Sequence, residues 1–206
     1  MRGRAPGGLQ AEPADSTHGR FPDTGQYGLV PAAAESDDSC VSYEPHRFED
    51  FAPGQAYEFG KRIISREDIA AFADVSDDHT ALHCDDGYAA TTPFGSVVSH
   101  GVLNVAAATG LAYRCGLFEG TVLAVLSLET RFERPVFPGD ELTLRMTVKE
   151  LDPRPRPDRG RVTFGVELLN QAGKKVVAGD WTLLLRRAGV PATSAPPSSG
   201  KPVPPD

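Results

Sequence analysis

Three of the five histidines in this 206-residue chain fall in one stretch, Phe72 to Leu103 (FADVSDDHTALHCDDGYAATTPFGSVVSHGVL). Within it, Asp78 and His83 sit five residues apart in a polar segment between two helix-like runs, so the flanking helices can turn both toward one pocket. A carboxylate and an imidazole so placed form an acid/base pair, one group taking a proton from a reacting centre and the other returning one. His100-Gly101 immediately precedes a long apolar run. Free N–H groups at a helix start, aided by the dipole, can stabilise an oxyanion or a polarised carbonyl, and Gly101 lets a substrate approach the backbone. Each group also has a plainer use: a loop salt bridge or cap for Asp78 and His83, and bracing of the helix start for His100. His79 and His83 at i, i+4, with His100 and Asp85 near in sequence, would offer a divalent-metal site if the segment were helical. Asp85 reads as a helix N-cap. Cys40, Cys84 and Cys115 are odd in number and lack CxxC spacing, so neither a disulfide framework nor a cysteine zinc knuckle is indicated. Cys84 and Cys115 lie in apolar contexts that favour buried packing over nucleophilic chemistry.

The elements that must position these groups can be read from periodicity. Gln55 to Ile64 (QAYEFGKRII), bounded by Pro53-Gly54 and Ser65, is a strand. Ser65 and Asp68 then form a capping pair ahead of REDIAAFADV, where Ile69, Phe72 and Ala73 repeat at helical spacing. Gly101 to Phe118 (GVLNVAAATGLAYRCGLF) is apolar almost all round and predicts a long helix buried on most sides, with Val102, Val105 and Ala106 facing either a pocket or the core. Four β-branched, alternating segments follow, TVLAVLSLETRFERPV, ELTLRMTVKEL, GRVTFGVELLN and KKVVAGDWTLLLRR, with Trp181 a core residue of the last and RPRPDR (154–159) a turn. Successive strands imply an antiparallel sheet, and a sheet curved around one apolar helix is an α+β layer arrangement.

Composition bounds the rest. Five prolines lie in residues 1–46 and six in 188–206, so 11 of the 18 prolines occupy 65 residues of tail. The first segment also carries seven acidic and three basic residues with few large apolar side chains, too little to offset the entropy of ordering. Residues 1–46 and 188–206 are therefore expected to be disordered tails around a single domain at 47–187, an ordinary size for one core. A net charge of −7 argues against nucleic acid or an anionic membrane as a partner, since both need a clustered basic footprint. The longest apolar runs fall short of the roughly 18 uninterrupted residues of a membrane helix, and the N-terminus lacks a signal-like apolar region, so a cytoplasmic location is expected.

The ordered residues resemble the signature of MaoC-like dehydratases, including the (R)-specific enoyl-CoA hydratases. That family's loop, S/T-G-D-x-N-P-L/I-H-x-D, stands here as Ser76-Asp77-Asp78-His79-Thr80-Ala81-Leu82-His83-Cys84-Asp85, followed by Tyr88-Ala89 and by His100-Gly101-Val102-Leu103. The later FERPVFPGDEL (132–142) is similar to the family's F-x-x-P-V-x-x-G-D-x-L. The resemblance covers the core and neither tail. It implies a hot-dog fold, a long central helix wrapped by a curved antiparallel β-sheet, in a homodimer. It also implies a hydro-lyase that hydrates trans-2-enoyl or dehydrates 3-hydroxyacyl thioesters on coenzyme A or an acyl-carrier protein, with no metal and no cofactor. Carried over by position, Asp78 and His83 match the catalytic pair. Gly101 supplies an N–H to the thioester carbonyl, His100 precedes it, and Thr109 matches a position where hydratases often carry a serine lining the site. The departures are Asp77, Thr80 and Ala81 in place of Gly, Asn and Pro. Asp77 sets a second carboxylate beside Asp78 and is expected to point away, because two adjacent carboxylates disfavour joint ionisation. The changed loop keeps two other functions open: a biosynthetic tailoring step of elimination or carbon–carbon type on a non-thioester, and a non-catalytic acyl-binding dimer. A thioesterase fits the fold but suits the Asp/His and His-Gly pattern less well.

Overall fold

The computed structural model describes residues 34–35 and 41–189. In chain order these form β1 (Ala34–Glu35), β2 (Val41–Ser42), a 3-10 turn (Phe48–Asp50), β3 (Ala56–Ile63), α1 (Arg66–Ser76), α2 (Ala81–Cys84), α3 (Asp86–Ala90), α4 (Gly101–Arg114), β4 (Val122–Phe132), β5 (Glu141–Arg156), β6 (Arg159–Asn170) and β7 (Lys175–Arg186). The five long strands make one antiparallel sheet in the order β3-β5-β6-β7-β4, while β1 and β2 pair separately. Alternation along β6 and β7 turns Val162, Phe164, Val166, Leu168, Trp181 and Leu183 to the buried face, the period-2 burial of a sheet covered on one side.

α4 lies against that face with Leu103, Ala107, Ala108, Leu111 and Ala112 buried. At one end of the layer Phe51, Phe118 and Phe164 pack edge-on or stacked with Tyr57 and Phe59. Each such ring, fully buried, stabilises the fold by about 1.5–3 kcal/mol through apolar area alone. This is the wrapped-helix, hot-dog arrangement that the strand and helix patterns imply.

α4 stops at Arg114, four residues before the apolar run ends. Gly116 takes φ 80 and a Cβ there would lie 2.7 Å from the Tyr43 carbonyl oxygen, so a side chain is excluded where the helix turns off. Nor is the helix buried on most sides: Val102, Ala106, Thr109, Gly110 and Tyr113 form an exposed stripe, because the sheet covers only the opposite face. RPRPDR is mostly strand, with β5 running through Arg156 and the turn confined to 157–158. Pro153 and Pro155 fit there because β3 pairs β5 only as far as Thr147, leaving a free edge beyond it.

Tyr43 and His46 pack into the body, their N–H groups bonded to the Cys115 and Leu117 carbonyls. The tails expected for 1–46 and 188–206 otherwise lie outside the described residues, save for 34–35, 41–46 and 188–189. Among the described residues no helix is long and apolar enough to cross a membrane.

Candidate active site

The capping box expected at α1 is present: the Ser65 hydroxyl accepts from the Asp68 N–H, and the Asp68 carboxylate accepts from the Ser65 N–H. α1 therefore starts at a fixed point and ends at Asp77, whose φ of 57 is the one left-handed value at a non-glycine among the described residues. Here the family pattern has Gly, which adopts this region freely, whereas Asp tolerates it better than most side chains. Asp77 is exposed and stands outside the cluster formed by Asp78.

Thr80 takes over local tethering. Its hydroxyl donates to Asp78 Oδ1 at 2.5 Å and its N–H to the same oxygen at 3.3 Å. These bonds, the hydroxyl first, hold the Asp78 carboxyl below the usual carboxylate range. Ala81 is the first residue of α2, the helical position proline favours, since its N–H would have no helical partner. Alanine keeps the helix start without fixing the angle. Asp85 caps α3 as expected, accepting from the Tyr88 N–H at 2.9 Å.

Two cross-links tie this loop to the buried segment before α4. His83 Nδ1 lies 2.7 Å from the Val98 carbonyl, and His100 Nε2 lies 2.9 Å from the Asp78 carbonyl. A carbonyl can only accept, so His83 carries its proton on Nδ1 and leaves Nε2 as a lone pair, while His100 donates through Nε2–H. The two imidazole rings lie 3.8 Å apart, centroid to centroid. Asp78 Oδ2 is 4.0 Å from His100 Nε2, and one donor or acceptor atom from each of Asp78, His83 and His100 lies within 4.8 Å of the others. Three side chains that the sequence pattern singles out thus converge. His79 and Asp85, the other members of the alternative metal set, stand outside this cluster.

His100 is only 2% exposed and also packs against Phe72, with its Nδ1 buried and unpaired among the described residues. Gly101 begins α4 beside it. A Cβ at Gly101 would sit 2.8 Å from the Phe132 ring, so glycine is what lets the end of β4 close over the helix start. Thr109 does not join the cluster. It lies eight residues along α4, about 12 Å of helical rise from Gly101, on the exposed stripe, with its hydroxyl on the Ala106 carbonyl.

Two depressions adjoin this region, one reached by His83 and the other by Gly101 next to His100. One of about 230 Å³ is lined by Arg66, Asp74, His79, His83 and Cys84. Cys84 is exposed in it, contrary to the buried placement expected from its apolar neighbours, because α2 is a single turn with no buried face. Cys115, by contrast, is buried. The second is a groove of about 500 Å³ that includes Phe94, Val98, Gly101, Val102, Asn104 and Phe132. Val102 is thus the groove-facing member of the three helix residues left open by periodicity. Val105 packs partly against the core and Ala106 faces solvent. Pattern reading passed over Ser99 and Asn104, both buried and bonded to each other at 2.8 Å. An amide inside an otherwise apolar helix face is the signal that could have revealed them.

Residues 49–170 match the family model described as MaoC like domain. The (R)-specific enoyl-CoA hydratase of Aeromonas caviae is 35% identical over 127 residues, which cover 62% of this chain and 90% of that protein. The (R)-specific enoyl-CoA hydratase of Rhodospirillum rubrum is 33% identical over 144 residues, 70% of this chain and 94% of that protein. Among solved structures, an unliganded R-hydratase from Pseudomonas aeruginosa superposes with a TM-score of 0.58 at 34% identity, covering 68% of this chain and 84% of that one.

Proposed function

From the premise that the chain belongs to the MaoC-like dehydratase family and is a lyase, we propose that it adds water across the α,β double bond of a trans-2-enoyl thioester, or removes it from the 3-hydroxyacyl form, on coenzyme A or an acyl-carrier protein. The observation that carries this reading is the convergence of the Asp78, His83 and His100 side chains beside the start of α4, with the Asp78 carboxyl tethered by Thr80 and the His83 ring held through Nδ1 by the Val98 carbonyl.

In hydration, a water held by Asp78 Oδ2 and His83 Nε2 attacks the β-carbon. One of its protons passes to His83 Nε2 as the new C–O bond forms, and the π electrons move onto the thioester oxygen. The N–H at Gly101 stabilises the resulting enolate, since it belongs to the first turn of a helix and needs no reorganisation to donate. The proton on His83 then returns to the α-carbon as the enolate collapses. Dehydration is the reverse path. Asp78 stays ionised throughout, as the two Thr80 bonds favour, and His83 keeps its Nδ1 proton on Val98. Thr109 lines the acyl path only in an assembly that covers the exposed stripe of α4.

The expected assembly is a homodimer. β4 is an edge strand with Val125, Leu126, Leu128 and Phe132 exposed, and the small-residue stripe of α4 is uncovered as well. A second copy would cover both surfaces through one two-fold contact. A monomer by light scattering would count against it. The free thiols of Cys84 and Cys115 suit a reducing compartment such as the cytoplasm.

Loss of conjugated absorbance across a panel of trans-2-enoyl-CoA and carrier-bound thioesters tests the reaction. Turnover of one or more members is expected. Silence across the panel with acyl-CoA binding retained would replace catalysis with the acyl-binding role.

A further inference from the structure

The buried face of α4 consists of Leu103, Asn104, Ala107, Ala108, Leu111 and Ala112, so it is apolar except at one position. Asn104 is 4% exposed. Its Oδ1 accepts from the Ser99 hydroxyl, and Ser99 is itself buried and anchored by its N–H on the Val136 carbonyl. The Ser99 hydroxyl also lies 3.3 Å from the His100 carbonyl, and its shorter contact, 2.8 Å, occupies the oxygen end of the amide. The Nδ2 hydrogens have no protein partner among the described residues, and Asn104 lines the 500 Å³ groove beside Gly101, together with Phe94, Val98, Val102 and Phe132. A buried, pre-oriented donor therefore faces a groove that is apolar along Phe94, Val98, Val102 and Phe132 and carries Glu133 and Arg134 on its rim. A substrate that fills the groove with hydrocarbon strips water from this donor and gives it nothing in return.

Position along the helix indicates which part of a substrate it meets. Asn104 follows Gly101 by three residues, about 4.5 Å of rise, the span of about three carbon–carbon bonds. With a thioester carbonyl at the Gly101 N–H, the amide lies level with the γ and δ carbons of the acyl chain. We propose that Asn104 is a specificity-determining residue whose amide donates to an oxygen carried near the δ position, so that the preferred substrate is a short oxygenated enoyl thioester rather than a plain alkyl one. This rests on the hydratase reading and adds a substrate class to it.

The test uses the full chain and an isosteric pair, trans-2-hexenoyl-CoA and 4-methoxy-trans-2-butenoyl-CoA, in which an ether oxygen replaces one methylene. Wild type should favour the ether by about 10-fold or more in kcat/KM, the lower part of the range for leaving one buried donor unpaired. Asn104→Leu should reverse the preference. Asn104→Asp, nearly isosteric but without amide donors, should abolish it, which guards against a packing effect of leucine. A ratio unchanged within twofold in the variants overturns the proposal. So does an equal loss on both thioesters, since the amide would then touch a part common to all substrates. If wild type turns over neither, the hydratase reading falls, and calorimetric binding of hexanoyl-CoA against 4-methoxybutyryl-CoA applies the same ratio criterion to Asn104 without turnover.

Discussion

The sheet-and-helix body and the loop from Ser76 to Asp85 are held by different forces. In the body, Tyr57, Phe59, Phe164, Leu144 and Leu168 are wholly buried and constrain one another by volume. The loop is largely exposed and is positioned by a few directed bonds: Thr80 to Asp78, His83 to Val98, and His100 to the Asp78 carbonyl. The contrast explains why the loop can depart from its family pattern at three positions and still bring Asp78 and His83 together. Its geometry depends on two anchors in the body, Val98 and His100, more than on the residues between them. Gly, Asn and Pro in the family pattern are ways of easing the backbone through this path, and Asp77, Thr80 and Ala81 are another solution.

Substitutions that separate volume from direction test that contrast. Phe164→Ala removes a ring packed against Phe51 and Phe118 and should destabilise the fold by about 3–5 kcal/mol in urea unfolding. A loss under about 1 kcal/mol would mean that the body is not volume-constrained. Gly101→Ala should do the opposite. The displaced Phe132 ring is more than half exposed and can move, so the melting temperature should change little, yet the new methyl crowds the helix start at which the proposed reaction sets the thioester carbonyl. Its kcat/KM should fall by about 100-fold, the scale of losing one oxyanion donor.

Thr80→Val removes the hydroxyl that contributes most to lowering the Asp78 carboxyl. Because Asp78 must be ionised to hold water, and its acidity is enhanced in the folded protein, the acid limb of the pH–rate profile should move to higher pH. An unmoved limb would detach Asp78 from that titration. The smallest effects belong to the backbone. Ala81→Pro should add about 0.4–1 kcal/mol of stability by stiffening the unfolded chain at a helix start. Asp77→Gly should gain a similar amount or less, relief of the left-handed conformation being partly offset by the entropy of glycine.

Most elements of the body were legible in the sequence because burial writes a period into it: two along the strands, 3.6 along α1 and α4. The site was legible in part. Asp78, His83, His100 and Gly101 could be picked out by motif and do converge in space, while the roles given to them rest on chemistry. Periodicity misjudged α4 because alanine, glycine and threonine look apolar or neutral whether they face a sheet or an uncovered flank. It missed Asn104 for a related reason, since a lone amide in an apolar run carries no period and its meaning comes from Ser99, a residue outside the helix. Cys84 was placed inside on its neighbours, but one turn of helix has no inner face to hide it. The turn expected at RPRPDR was drawn too wide because prolines there sit on a free strand edge rather than at a corner.

The central claim is that Asp78 holds the attacking water while His83 moves its proton between water and the α-carbon. Its most direct test is the hydration rate of wild type, Asp78→Asn and His83→Gln on an enoyl thioester that wild type turns over, with circular dichroism confirming that all three fold. The account predicts a fall in kcat of at least about 1,000-fold in each variant, the range for a positioned acid or base that also orders the attacking water. A folded variant of either kind that keeps more than a tenth of wild-type turnover would contradict it.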